Sequence, residues 1–331
     1  LKAAEGAAMK RRALLGTAAA ATALLPAAAA RAAAFRDVLD TPAAPSALAA
    51  RGLLTGLARA GRRLVAVGQR GHVLSSDDAG KTWAQAEVPV SADLVAVHFP
   101  TAERGWAVGH DGVIVATTDA GRRWTRQFDG RSLGAQGAEN PLLDVWFDDA
   151  SNGFAVGAFG TLLRTADGGA RWASAADSAD NPKGLHLYAV RRVGGSLYLA
   201  GEQGLLLRHD GTRFAAVATP YAGTLFGVLG NERVLLIHGL RGKLLRSADQ
   251  GRHWQDVPTG VSVGLTGSTA DERGRFIVAS QAGHVLVGSD DGTGFAPLKI
   301  ERPAPAAAVA STGAGTLVLA GPRGLQTVAL A

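Results

Sequence analysis

Four aspartates stand in one recurring octapeptide, each two residues after a hydroxyl, and in isolation such a carboxylate looks catalytic. The octapeptides are SDDAGKTW (Ser76, Asp78, Gly80, Trp83), TTDAGRRW (Thr117, Asp119, Gly121, Trp124), TADGGARW (Thr165, Asp167, Gly169, Trp172) and SADQGRHW (Ser247, Asp249, Gly251, Trp254). Weakened copies surround Asp210, closing at Phe214, and Asp290, closing at Phe295. Six copies on six turns cannot all be active sites. The residue types suit a stapled β-hairpin turn: hydroxyl and carboxylate bond nearby backbone N–H groups, the glycine takes positive φ, and the aromatic packs inward. A second signature, Gly-x-x-Gly, invites a phosphate-loop reading, but no helix follows to supply its N-terminal dipole. The eight histidines are scattered. His72 and His284 follow equivalent glycines and His110 sits in a matching turn, yet no pair has metal-ligand spacing. No catalytic residue, cofactor or metal is assigned.

The elements that carry these residues repeat. Successive closing aromatics are 41, 48, 42, 40 and 41 residues apart, and a period of roughly 40–45 residues marks a propeller-like array. Upstream of each turn runs an apolar strand, a Gly-x-x-Gly turn and an alternating strand, as in AVGQRGHVLSS from Ala66 and AVGHDGVIVAT from Ala107. The second glycines of these turns are Gly71, Gly112, Gly160, Gly204, Gly242, Gly283 and Gly324, so this hairpin has seven copies against six of the aspartate turn. One more apolar run precedes each unit, such as LVAVHF (94–99) and LLDVWF (142–147). Each unit thus has four strands, A to D, with the Gly-x-x-Gly turn between B and C and the aspartate turn between C and D. Expected is an all-β, seven-bladed β-propeller of four-stranded antiparallel blades. The seventh unit stops after strand C. FRDVL (35–39) resembles WQDVP (254–258), so the N-terminal strand is expected to close the last blade and remove an open edge.

The 331 residues divide into a leader, 1–34, and one propeller, 35–331. Met9 is the single methionine and the expected start. Lys10-Arg11-Arg12, an Ala/Leu-rich run over 13–30 and Ala-x-Ala choices ending at Ala32 or Ala34 form a secretory signal, and the arginine pair points to twin-arginine export. The expected location is periplasmic or otherwise exported, lumenal in a photosynthetic cell, with no integral membrane segment after cleavage. Absence of cysteine excludes lipoprotein acylation and disulfides. Cleavage removes Lys2, Lys10, Arg11, Arg12, Arg31 and Glu5, which takes 34 basic and 28 acidic residues to 29 and 27, a net +2. That balance excludes nucleic acid as partner, because phosphate binding needs clustered excess base. Of the basic residues 28 are Arg and 6 Lys. This ratio suits bidentate carboxylate contacts, although GC-rich codon usage accounts for it equally well.

The combination AVGxxG with (S/T)xDxGxxW, repeated behind a leader, resembles the photosystem II stability/assembly factor family of BNR (Asp-box) repeat propellers. The resemblance covers essentially all of 35–331 and is most typical over Gly137 to Trp172. It implies a non-catalytic, monomeric scaffold that binds a protein partner, such as a reaction-centre precursor subunit, during assembly of a membrane complex. An exported member could equally serve another envelope complex, such as an RND-type exporter. Sialidases share Asp-box turns and supply the enzymatic alternative. Their chemistry needs an arginine triad, a Tyr nucleophile activated by Glu and an acid/base Asp. Only Tyr188, Tyr198 and Tyr221 exist here, with Glu202 in the same unit as Tyr221, and the Phe/Tyr-Arg-Ile-Pro signature is absent.

Strand order places the B–C turns and the D-to-A connections on one face and the Asp-box turns on the other. The longest D-to-A connections run from Asp129 to Pro141 and from Ser174 to Gly184, and long loops on rigid scaffolds concentrate function. Arg70, Arg241 and Arg323 at B–C turns, with Arg126, Arg131 and Lys183, are expected to form a basic rim for an acidic segment of the partner.

Overall fold

The computed structural model describes residues 36–134, 137 and 139–330, and Arg36–Ala331 forms one compact unit. The leader, Phe35 and the export signal lie outside the described residues. Seven antiparallel sheets follow one another along the chain, each with its strands in sequence order. Their innermost strands are Leu54–Ala60, Leu94–His98, Leu142–Phe147, Leu187–Val193, Leu225–Gly230, Leu265–Ala270 and Ala308–Ser311. Each neighbours the next, and the last returns to the first, closing the ring of a seven-bladed β-propeller.

Burial explains the ring. The second strand of most blades is buried on both faces, as in Gly105–Gly109, Gly153–Gly157, Leu235–Gly239 and Phe276–Ser280. Such strands read as unbroken apolar runs because both faces meet a neighbouring blade. The core is therefore divided by joint: one apolar cluster spans blades one and two, another blades two and three, and so on to blades seven and one. No helix among the described residues is long and apolar enough to cross a membrane.

One expectation needs correction. Among the described residues blade seven has three strands, Ala308–Ser311, Thr316–Gly321 and Gly324–Ala329, and residues 36–39 do not pair with it. Instead Asp37 caps a single 3-10 turn, Val38–Asp40, by accepting the Leu39 amide at 2.9 Å. The Leu39 side chain is 3% exposed in the core of blades one and two, with Val88, Val90 and Trp124. Ser91 N donates to Val38 O at 2.8 Å and Ala43 N to Val88 O at 3.0 Å, so the segment straps the connection between those blades. The physical reason is a weak competitor. The outer strand of a blade is short, as in Ala84–Gln85 of blade one with two ladder pairs, whereas the strap buries the Leu39 side chain in a core. Blades seven and one instead join face to face. The turn Ala49–Arg51 packs on the outer strand of blade seven. There Gly324, at φ +86, leaves no room for a Cβ, which would come within 2.2 Å of Ala50 O.

Candidate protein-binding face

The Asp-box turns staple themselves. The Thr117 hydroxyl donates to Asp119 Oδ1 at 2.9 Å and accepts the Gly121 amide at 3.1 Å, while Asp119 Oδ1 accepts the amides of Arg122 and Arg123, each at 3.0 Å. Ser76 with Asp78, Thr165 with Asp167 and Ser247 with Asp249 repeat this at 2.8, 2.9 and 2.7 Å. Gly80, Gly121, Gly169 and Gly251 all lie at φ between 84 and 92°, and Trp83 and Trp124 close the loop by donating Nε1 to the turn glycine's carbonyl at 3.1 Å. Partial burial pushes the Asp119 carboxyl up, but the Arg123 amide and Thr117 hydroxyl hold it below the usual range. The Thr82 hydroxyl and amide hold Asp78 well below it. Each carboxylate is thereby committed to its own backbone.

The opposite face carries the B–C turns. Their tips are Arg70, Asp111, Phe159, Gln203 and Arg241 in blades one to five, all left-handed at φ 54 to 56° and each followed by a left-handed glycine. Arg70, Arg241, Arg323 and Lys183 are exposed, and none of these four side chains is in an ion pair among the described residues. Arg126 and Arg131 differ from the expected rim. Arg126 bonds the Leu39 carbonyl and pairs with Asp40 at 3.1 Å, and Arg131 pairs with Asp40 and Asp129, both at 2.9 Å. These two guanidiniums clamp the N-terminal strap, and in return Arg131 and Arg126 hold the Asp40 carboxyl down to about 2. The charge spacing was legible in the sequence, but the carboxylate that answers it comes from residue 40, some 90 positions away.

At the centre of the ring lies a channel of about 530 Å³ lined by Thr55, Val95, Leu143, Tyr188, Phe226 and Thr266. Within it Arg191 pairs with the buried Asp144, which also accepts the Val190 amide at 2.8 Å and so ties blade three to blade four. Burial pushes the Asp144 carboxyl up, opposed by Arg191. Neither residue was singled out from sequence, though a signal existed. The register position equivalent to Asp144 in the other innermost strands holds only Gly56, Ala96, Ala189, Gly227, Gly267 and Ala308. A charged residue at a position otherwise reserved for the smallest side chains marks a special site. Beside the pair, Trp146 lies 4.2 Å from the His98 ring, and burial, then Arg191, pushes His98 down to about 3. Burial likewise takes His238 down to about 4; its ring nitrogens bond Leu265 O and Ser268 Oγ, both at 2.9 Å.

A second cleft, also of about 530 Å³, opens on the B–C face of blade four. The long connection singled out from sequence forms one wall through Asp180, Pro182 and Lys183, and Gln203 and Tyr221 stand opposite. Tyr221 donates its hydroxyl to Leu240 O at 2.9 Å, and Glu202 accepts the His186 amide at 2.9 Å. The Tyr221/Glu202 pair considered from the sequence is therefore not assembled. Among the described residues Arg191 is the one arginine lining the channel, where sialidase chemistry needs three. Among the described residues no three His, Asp or Glu side chains are grouped to hold a metal.

Known proteins place this architecture. A structure described as YCF48 bound to D1 peptide superposes with a TM-score of 0.68 at 16% identity, over 85% of this chain and 94% of that one. YCF48 from Cyanidioschyzon merolae gives 0.64 at 16% identity, over 86% and 96%. Streptogramin B lyase gives 0.69 at 13% identity, over 84% and 93%, so at this identity the likeness speaks for the fold and not for an activity. No curated protein matches the sequence. A family model described as photosynthesis system II assembly factor YCF48 matches residues 59–133 and 133–295, well over half of the chain. The chain belongs to that family of assembly-factor propellers.

Proposed function

We propose that this chain is a non-catalytic, monomeric scaffold, exported from the cytoplasm, that holds a segment of a protein partner on its B–C face while a membrane or envelope complex assembles. The reading rests on family membership and on one observation: four cations of this face, Arg70, Arg241, Arg323 and Lys183, are exposed, and none of their side chains is in an ion pair among the described residues. Exposed cations without partners steer an acidic segment and gain most when it arrives. A YCF48 structure with a bound D1 peptide supports a peptide-like segment as the bound form. A reaction-centre precursor and a subunit of an RND-type exporter are the two candidate sources.

The test is capture of partners from membranes by tagged protein. Arg70→Glu with Arg323→Glu is expected to abolish capture, and a matched reversal at Arg122 and Arg123 on the other face to leave it intact. The opposite result would put the binding surface on the Asp-box side. Mass-spectrometric identification of the captured proteins separates the two sources, and hydrolysis of a sialoside by the purified protein would refute the non-catalytic reading.

A further inference from the structure

The exposed apolar residues gather on one side of the molecule. Among the described residues the large hydrophobics left exposed are Leu48, Leu53, Phe159 and Leu240. Phe159 and Leu240 belong to B–C turns. Leu53 abuts the B–C turn of blade one, where its carbonyl accepts the Gln69 amide at 3.0 Å. Leu48 precedes the turn that packs on Gly324.

Phe159 is the least expected of them. It is 67% exposed and sits at φ 54°, a region that bulky side chains avoid. The same tip is Arg70, Asp111, Gln203 and Arg241 in neighbouring blades, so the turn geometry accepts polar residues that water would welcome. The ring is not adrift. Its backbone N–H donates to His186 Nδ1 at 2.7 Å, and the two rings meet edge to face at 4.8 Å. His186 is followed by Tyr188 at 6.4 Å, and Tyr188 by Phe226 at 5.4 Å, each pair again edge to face. Four rings thus form a row from the outer tip of blade three, across blade four, to the channel mouth at blade five, where Tyr188 and Phe226 are part of the lining. Cations flank it. Lys183 lies in the connection whose Gly184 abuts Gly160 beside Phe159, and Arg241 follows Leu240, whose amide donates to Thr224 O at 3.0 Å, two residues before Phe226. Glu202, the neighbouring carboxylate, is turned to the His186 amide.

We propose that this row is the anchoring groove for an extended peptide segment carrying an aromatic or large aliphatic side chain beside acidic residues. The apolar side chain lies against Phe159, His186 and Tyr188, with its tip toward Phe226. The flanking carboxylates face Lys183 and Arg241. Edge-to-face rings present further ring faces and edges to an incoming aromatic, and the cations select the acidic flank. The proposal rests on the protein-binding role assigned to this face and adds to it the chemistry of the segment.

The experiment is selection of a displayed library of random dodecapeptides on the full chain. The selected peptides are then titrated against wild type, Phe159→Gln, the Lys183→Glu/Arg241→Glu pair that flanks the row, and the Arg70→Glu/Arg323→Glu pair. Glutamine stands at this tip in blade four, so Phe159→Gln is expected to keep the wild-type melting temperature. Expected are peptides that combine acidic residues with Phe, Tyr, Trp or Leu and that lose at least about tenfold in affinity to Phe159→Gln. Acidic peptides without an apolar anchor, bound equally by Phe159→Gln, would overturn the groove while leaving the basic face intact. Apolar peptides lost in Phe159→Gln but indifferent to the charge reversals would support the groove and sink the charge argument. No enrichment would overturn both. In a parallel arm, Phe159-dependent co-sedimentation with phosphatidylglycerol/phosphatidylcholine vesicles would assign the row to a lipid surface and refute a peptide occupant.

Discussion

Replacing Leu39 with alanine isolates what the N-terminal strap contributes. The side chain is 3% exposed and shares the blade one–two core with Val65, Val90, Leu94 and Trp124. Leu-to-Ala truncations in well-packed cores cost about 2–5 kcal/mol, the spread reflecting how far the site collapses. Leu39 belongs to a three-residue turn on a surface segment and not to a sheet, so collapse is easier and the lower part of that range, about 2–3 kcal/mol, applies. A propeller of this size loses roughly 2 °C of melting temperature per kcal/mol, so a fall of about 4–6 °C is expected by calorimetry on the full chain. Leu48→Ala, at 64% exposure, is the control and is expected to change little. Hydrogen exchange adds the location. Leu39→Ala should speed exchange of the Ser91 amide, which donates to Val38 O, and leave the amides of Gly324–Ala329 untouched. An unchanged melting temperature, or faster exchange confined to blade seven, would refute the strap and restore a closing-strand role for this segment.

Asp119→Ala removes the acceptor of one hydroxyl and two backbone amides and is expected to cost about 1–3 kcal/mol in urea unfolding, with partner capture unchanged below the melting temperature. Arg191→Met strands the buried Asp144 carboxylate and should cost about 3–5 kcal/mol. Asp144→Ala should cost less, because the half-exposed Arg191 can turn to channel water; equal losses would refute that asymmetry. Stability should also fall with acid in two stages, read as melting temperature against pH. His98 and His238, held neutral down to about 3 and about 4, bind protons more readily when unfolded, so stability is lost as pH drops below about 6.5. Asp40, Asp210 and Asp291, each held down to about 2 by its partners, add a second loss between about pH 4 and 2. Removing the imidazole with His98→Gln should shrink the first stage to the His238 contribution and spare the second.

The repeat was legible in the sequence because everything that specifies one blade lies within about 40 residues. The hydroxyl of Thr117, the carboxylate of Asp119 and the ring of Trp124 act on one turn, so residue types at fixed offsets suffice to identify it. Seven hairpins of the Gly-x-x-Gly type, one of them with Ser280 in place of the first glycine, likewise set seven blades, and strand order alone assigned the turns to their faces. Contacts between blades were decided only by the tertiary structure, because they join residues whose separation in the chain carries no pattern. FRDVL resembled an outer strand, yet burial of Leu39 against Val88 and Val90 drew the segment to blades one and two. That placement brought Asp40 to Arg126 and Arg131 and consumed two cations of the expected rim. Asp144 meets Arg191 across 47 residues, and the row from Phe159 to Phe226 draws on three blades. A propeller is encoded blade by blade, while its binding surface is composed across blades, where ring closure and not local spacing sets which side chains meet.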